Sequence, residues 1–186
     1  YEEYKEEITP VEKAAEILSR KANYFVTLQR YQEALSEYRG ILQDYPETET
    51  ARNIYFAIGT VYEEYSTPDS AIATFRRQWQ TYPDAARTPD AIMHAGDLLY
   101  NRGDYSQAID IYEKILRDYA QHENIALATY KTGLAFFQLE NYSQSQAFFE
   151  SVVRSEWSDH VKHLSRVGLA RVRLRQENYG TARELL

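Results

Sequence analysis

The sequence predicts an all-α fold, a solenoid of antiparallel helix pairs, and three observations carry that expectation. The string Tyr31-Gln-Glu-Ala34-Leu-Ser-Glu-Tyr38 recurs in related form every 37 residues. Two columns of small residues keep the same period. Within each unit, apolar residues fall at i, i+3, i+4 and i+7, the spacing of one helix face.

The recurrences are Pro68-Asp-Ser-Ala71-Ile-Ala-Thr-Phe75, Tyr105-Ser-Gln-Ala108-Ile-Asp-Ile-Tyr112, Tyr142-Ser-Gln-Ser145-Gln-Ala-Phe-Phe149 and Tyr179-Gly-Thr-Ala182-Arg-Glu-Leu-Leu186. Upstream of each lies a second small residue: Ala22, Gly59, Gly96, Gly133 and Ala170. A small residue on each of two helices lets their backbones approach, and large neighbours fill the adjoining grooves. The column Tyr1, Tyr38, Phe75, Tyr112, Phe149, Leu186 supplies those large groups, as does Phe25, Tyr62, Leu99, Phe136. Helical spacing is clearest in Ala108, Ile109, Tyr112, Ile115 and Leu116.

Turn signals divide each unit into two helices. Predicted helices cover 11–29, 32–45, 50–65, 68–82, 88–101, 105–119, 123–139, 142–155, 160–176 and 179–186. Asn101-Arg-Gly-Asp104 and Glu140-Asn141 separate first from second helices. Tyr45-Pro46 and Tyr82-Pro83 close second helices, because proline disfavours helical geometry in the residue before it. The predicted units are 11–47, 48–84, 85–121 and 122–158. Tyr1 and Leu186 share one column, which places 1–10 at the end of a preceding repeat and 159–186 in an incomplete fifth. The expectation is a single array cut from a longer protein, with no capping helix at either end.

Composition narrows the function classes. The net charge is -7, the wrong sign for a general nucleic-acid binder. The absence of cysteine removes disulfides, thiolate zinc sites and cysteine nucleophiles. No apolar run reaches the ~18 residues of a membrane span. The 17 tyrosines suit a thin fold, where a ring fills the core and its hydroxyl reaches a polar partner. No Gly-rich phosphate loop, G-x-S-x-G or H-E-x-x-H motif occurs. His160 and His163 share a helix face near Asp159 but read as exposed residues at a helix start. Acidic pairs such as Glu63-Glu64 point to different parts of the surface. No catalytic residue, metal ligand or cofactor is expected. Charge is unevenly spread, with Glu2, Glu3, Glu6 and Glu7 at one end and Lys162, Arg166, Arg171, Arg173 and Arg175 near the other. That pattern suits a solvated helix, an acidic partner, or acid-to-base contact between repeats.

The pattern small–x8–Tyr–x2–Ala–x3–aromatic with a Tyr-Pro stop resembles the tetratricopeptide repeat. Gly96, Tyr105, Ala108 and Tyr112 occupy its signature places, with Pro46 and Pro83 at its closing proline. The likeness covers essentially the whole chain and implies a right-handed superhelix that binds other proteins. The usual period is about 34 residues; the extra residues here fall between repeats, at 47–51 and 84–88. That longer unit resembles arrays in bacterial envelope proteins, such as outer-membrane assembly lipoproteins and Tol–Pal-associated periplasmic proteins. Five residues depart from the pattern. Pro68 replaces the signature Tyr, and Gln78-Trp79 replace the Ile-Leu of other units. Trp157 stands at a closing-proline place, and Arg173 interrupts an apolar column.

In this family the first helices line the concave surface. Helix positions 5, 9 and 12 carry over as Ser19, Phe56, Met93, Tyr130 and Val167; Asn23, Thr60, Asp97, Leu134 and Arg171; and Val26, Glu63, Tyr100, Phe137 and Leu174. The resemblance therefore implies a partner-binding set of Asn23, Phe56, Thr60, Met93, Asp97, Tyr100, Tyr130, Leu134, Phe137 and Arg171. Aromatics and Met are residue types that anchor partners. The stripe is either a peptide receptor or packing between neighbouring first helices. Repeats that clamp chaperone carboxylate tails use Lys and Asn at positions 5 and 9, with further cations in the third unit. Only Asn23 fits, and Asp97 opposes such a tail. The expected function is a protein-binding scaffold in a bacterial cell-envelope complex. The alternatives are a self-associating structural module and the recruiting part of a larger enzyme.

Overall fold

The computed structural model describes residues 9–184; Tyr1, the acidic 2–7 segment and Leu186 lie outside them. Among the described residues the secondary structure is all-α: α1 (Pro10–Thr27), α2 (Tyr31–Asp44), α3 (Glu49–Arg52), α4 (Ile54–Glu64), α5 (Pro68–Thr81), α6 (Thr88–Arg102), α7 (Tyr105–Asp118), α8 (Ile125–Gln138), α9 (Tyr142–Arg154), α10 (Asp159–Arg175) and α11 (Tyr179–Glu184). The chain divides after Ala91 into two compact units, and α6 contributes to both. In the first, α1 packs on α2 and α4 on α5, with α2 against α4. In the second, α7 packs on α8, α8 on α9, α9 on α10 and α10 on α11. The fold class is therefore the predicted one, consecutive helix pairs stacked as an all-α solenoid.

The small and large columns meet as their spacing predicts. Ala22, Ala34 and Tyr38 are buried together in the first unit. A Cβ added at Gly133 would lie 2.8 Å from Cε1 of Phe149, and one at Gly168 would lie 2.7 Å from Cε2 of the same ring. Phe149 is thus held between the backbones of α8 and α10, where no side chain larger than hydrogen fits without displacing it. At the last pair, Ala182 is buried, while Arg173 donates from Nη1 to Oε1 of Gln176 at 3.2 Å. The cation in the apolar column is turned to a polar neighbour and does not prevent α10 and α11 from packing.

Each first helix ends in the same turn. Gln29, Ser66, Gly103, Glu140 and Glu177 all have positive φ, between 57° and 91°. They recur at the repeat period. The Arg30 N–H donates to the Phe25 carbonyl and the Gln29 N–H to the Val26 carbonyl, which is the Schellman pattern. The other four turns repeat it: Thr67 to Tyr62, Asp104 to Leu99, Asn141 to Phe136 and Asn178 to Arg173. The left-handed region suits glycine and crowds a Cβ. Glu140→Gly is accordingly expected to stabilise the protein by roughly 0.5–1 kcal/mol, and Gly103→Ala to destabilise it by about 1 kcal/mol. Urea unfolding midpoints check both.

One predicted helix is broken. The stretch 50–65 forms α3 and α4, separated at Asn53. The cause is Gln78, from the position that holds Ile41, Ile115 and Val152 in other repeats. The Phe56 N–H donates to Gln78 Oε1 at 3.0 Å, and Gln78 Nε2 donates to the Arg52 carbonyl at 2.6 Å. Phe56 and Arg52 are the donor and acceptor of a missing i→i−4 bond. The buried amide is inserted between them, a recognised cause of helix breaks. Gln78 Nε2 also lies 3.2 Å from Thr88 Oγ1, and the Thr88 hydroxyl donates to the Tyr82 carbonyl at 2.6 Å. Asn53 ties down the break from outside, its Oδ1 accepting from the Arg87 N–H at 2.9 Å.

Successive repeats are also joined by Glu12. Its carboxylate accepts from the backbone N–H of Glu49 at 2.8 Å and Thr50 at 3.0 Å, and from the Thr50 hydroxyl at 2.5 Å. Burial acts to raise its pKa, but the Thr50 and Glu49 hydrogen bonds outweigh this and hold it below its usual 4.5. Stability from a depressed carboxylate is fully present above its unfolded pKa and is lost as pH falls through the folded value. Glu12→Gln is expected to cost about 1 kcal/mol near pH 7 and almost nothing at about pH 3. An equal cost at both values would contradict the assignment.

Candidate functional site

The candidate site is built on the first helices. In the first unit, α1 presents Asn23 and α4 presents Phe56 and Thr60. The Tyr38 hydroxyl donates to Asn23 Oδ1 at 2.5 Å. Burial, then the nearby charge of Glu64, pushes the Tyr38 pKa up to about 12. Phe56 lies 5.9 Å from Phe75, centroid to centroid, and the Arg87 guanidinium sits 4.1 Å over its ring. Thr60 turns its hydroxyl back to the Ala57 carbonyl at 2.8 Å.

In the second unit, Asp97, Tyr100, Tyr130 and Leu134 line one cavity of about 200 Å³, with Asn101, Tyr112 and Lys131. The Tyr112 hydroxyl donates to Asp97 Oδ1 at 2.6 Å. Burial, then the Asp97 carboxylate, raises the Tyr112 pKa well above its usual value. Lys131 Nζ lies 2.5 and 2.6 Å from the two Asp97 oxygens. Gln138 Nε2 donates to the Tyr100 hydroxyl at 3.1 Å. Tyr130 packs 5.7 Å from Phe149, and Phe137 5.6 Å from Tyr142. Burial raises the Tyr130 pKa against the opposing influence of the Arg171 charge. The result is an amphipathic notch. Rings and Leu134 provide apolar wall, and a neutralised ion pair with tyrosine hydroxyls provides polar points.

Of the other predicted residues, Arg171 is exposed and Met93 is only 6 % exposed, so Met93 offers almost no surface to a partner. Lys131 is the notch residue that the family positions miss, since it follows Tyr130 by one. Its signal is charge alone: Asp97 places an acid on one first helix, and Lys131 places a base on the next. A second signal links two columns. Tyr38 and Tyr112 stand opposite the acceptors Asn23 and Asp97, whereas Phe75 and Phe149 stand at the same spacing from Thr60 and Leu134. Asn23 and Asp97 therefore satisfy buried hydroxyls, a structural duty beside any contact with a partner.

A tetratricopeptide repeat profile matches residues 56–123 and again 93–160, together more than half of the chain. The chain belongs to the tetratricopeptide repeat family, whose members generally mediate protein–protein interaction. No curated protein matches its sequence. Among solved structures, a tetratricopeptide repeat protein from Parabacteroides merdae is 18 % identical with TM-score 0.74, over 93 % of this chain and 64 % of that one. MamA from Desulfovibrio magneticus is 15 % identical with TM-score 0.69, over 96 % and 93 %. PilF from Pseudomonas aeruginosa is 16 % identical with TM-score 0.67, over 95 % and 75 %. At these identities the likeness is one of fold. No helix among the described residues is long and apolar enough to cross a membrane.

Proposed function

We propose that the chain is a scaffold that binds a segment of another protein on its first-helix faces, with the Asp97–Tyr100–Tyr130–Lys131–Leu134 notch as the anchoring point. The observation that carries this reading is the notch itself. Four of the family-position residues converge on one cavity, with half-buried aromatic rings and an ion pair whose charges already cancel. Such a wall accepts an apolar or aromatic side chain, while Tyr100 and Asn101 offer hydrogen bonds to its backbone. Phe56 under Arg87 is a second contact point, in the first unit. The reading assigns no catalytic role.

A photo-reactive phenylalanine analogue in place of Tyr100 tests the reading against the same analogue in place of Asp110, an exposed residue of α7. The expected result is a partner adduct from position 100 and none from position 110. Equal adducts from both would remove the notch from consideration.

We further propose a place in a bacterial cell-envelope complex. The 37-residue unit with Tyr-Pro stops supports it, through its resemblance to envelope arrays. Fractionation of native cells tests it, and recovery in the cytosol alone would end it. A second reading, self-association, rests on α1, whose Ile17 and Tyr24 are 66 % and 62 % exposed. A monomer by light scattering at high concentration would exclude it.

A further inference from the structure

We propose that a cavity on the second-helix side of the first unit, between α2, α4 and α5, binds a protein segment carrying a carboxylate side chain beside a bulky apolar one. The cavity is about 420 Å³, larger than the notch, and Arg39 and Arg77 are among the residues that line it. Tyr55, Tyr62, Leu42 and Ile58 line it as well. No carboxylate is among its lining residues. Arg39 Nη2 donates to the Tyr62 hydroxyl at 3.0 Å, which holds one guanidinium in place without neutralising it.

Comparison with the later repeats explains why the charge is unspent here. One repeat after Arg77 stands Lys114, whose ammonium is bound by Asp118 at 2.6 Å, four residues on. Four residues after Arg77 the chain has Thr81 instead, so the helix supplies no acid. Two repeats after Arg39 stands Glu113, which reverses the sign. One repeat on, the equivalent pair is Arg76 and Lys114, of which Lys114 is spent on Asp118; the first unit is where such a pair lines a cavity without a carboxylate. In a chain of net charge -7, an extended polyanion such as nucleic acid or an anionic membrane would meet repulsion beyond the cavity. A short acidic protein segment presents its charge only where the two guanidiniums receive it. A planar fork donor favours a carboxylate bidentately, and the Tyr and Leu surfaces take the adjacent apolar side chain.

The test uses the full chain and a capped, fluorescein-labelled peptide with the core Glu-Leu-Glu, read by fluorescence anisotropy. Its Gln-Leu-Gln counterpart is expected to bind about tenfold or more weakly. The R39Q/R77Q variant, of confirmed helicity, is expected to lose the preference for Glu, with affinity for the Glu peptide falling to that of the Gln peptide. Raised salt is expected to weaken only the Glu peptide. The Y100A/Y130A variant is expected to bind the peptide unchanged, which separates this site from the notch. Equal binding of the two peptides, no binding of either at millimolar concentration, or an unaltered preference in R39Q/R77Q would overturn the proposal. So would tighter binding of a single-stranded oligonucleotide competed by the same peptide.

Discussion

Gln78→Ala is expected to destabilise the first unit by about 3 kcal/mol, the largest single effect among the substitutions considered. The Gln78 side chain is fully buried, and its amide pairs with the Phe56 N–H, the Arg52 carbonyl and the Thr88 hydroxyl. Truncation leaves the part-buried Phe56 N–H and Arg52 carbonyl without their side-chain partner and also opens a cavity. Each stranded group costs about 1–3 kcal/mol, reduced where water enters. Gln78→Leu is expected to cost less than half as much. Leucine restores the aliphatic character found at Ile41 and Ile115. Leucine fills the space and keeps water out, so that Phe56 and Arg52 close their own i→i−4 bond and α3 joins α4, whereas the void left by alanine lets water stay between them. Hydrogen exchange at the Phe56 amide distinguishes the cases: fast in Gln78→Ala, slow in Gln78→Leu. Equal exchange in both would show that the amide does not bridge the ladder. Exchange is the better probe because repeat arrays need not unfold in one step.

Gly96→Ala is expected to cost about 2–3 kcal/mol, although alanine is ordinarily the better helix former. A Cβ at Gly96 would lie 2.7 Å from Cδ1 of Tyr112 and closer still to Cε1. The ring cannot retreat freely. It is buried, and its hydroxyl is bonded to Asp97, which is itself held by Lys131. The substitution therefore pushes on the notch as well as on the core, and loss of partner binding is expected to accompany loss of stability. Gly40→Ala is the control. Nothing lies within 4 Å of a Cβ there, so the same exchange in α2 is expected to stabilise by roughly 0.5–1 kcal/mol. Ala22 already occupies the equivalent column in the first repeat beside buried Tyr38, so the constraint at Gly96 belongs to that helix pair rather than to the column. Similar unfolding midpoints for the Gly96 and Gly40 variants would contradict the account.

The elements that sequence reasoning placed well are those whose physics is local and repeated. Ala34, Ala108, Tyr38 and Tyr112 recur in register because each faces the same surroundings, and their burial follows from the period alone. Tyr45 and Tyr82 end their helices where a proline follows, as that proline predicts. The break at Asn53 was not legible, since 50–65 reads as continuous helix. Its cause sits more than twenty residues away in Gln78, visible beforehand only as a departure from Ile. The left-handed turn residue announced itself at Gly103 alone; Gln29, Ser66, Glu140 and Glu177 adopt it because the two flanking helices dictate the connection.

The site was legible as a set of positions and not as a geometry. Family positions named Tyr100, Tyr130, Leu134 and Asp97, and these do share a cavity. They also named Met93, which is buried, and omitted Lys131, because side-chain direction and a cross-helix ion pair depend on the helix pair rather than on a column. Asp97, by sequence a charge against carboxylates, is neutralised by that lysine.

The central claim is that the notch holds a protein partner. Its most direct measurement is the affinity of the partner captured at position 100 for the parent chain and for Tyr100→Ala/Tyr130→Ala, with helicity confirmed. Two half-buried aromatic anchors removed together are expected to weaken binding by about 100-fold, while R39Q/R77Q leaves it within about twofold. Unchanged affinity in the aromatic double variant would contradict the claim and leave Tyr100 and Tyr130 as packing between neighbouring helices.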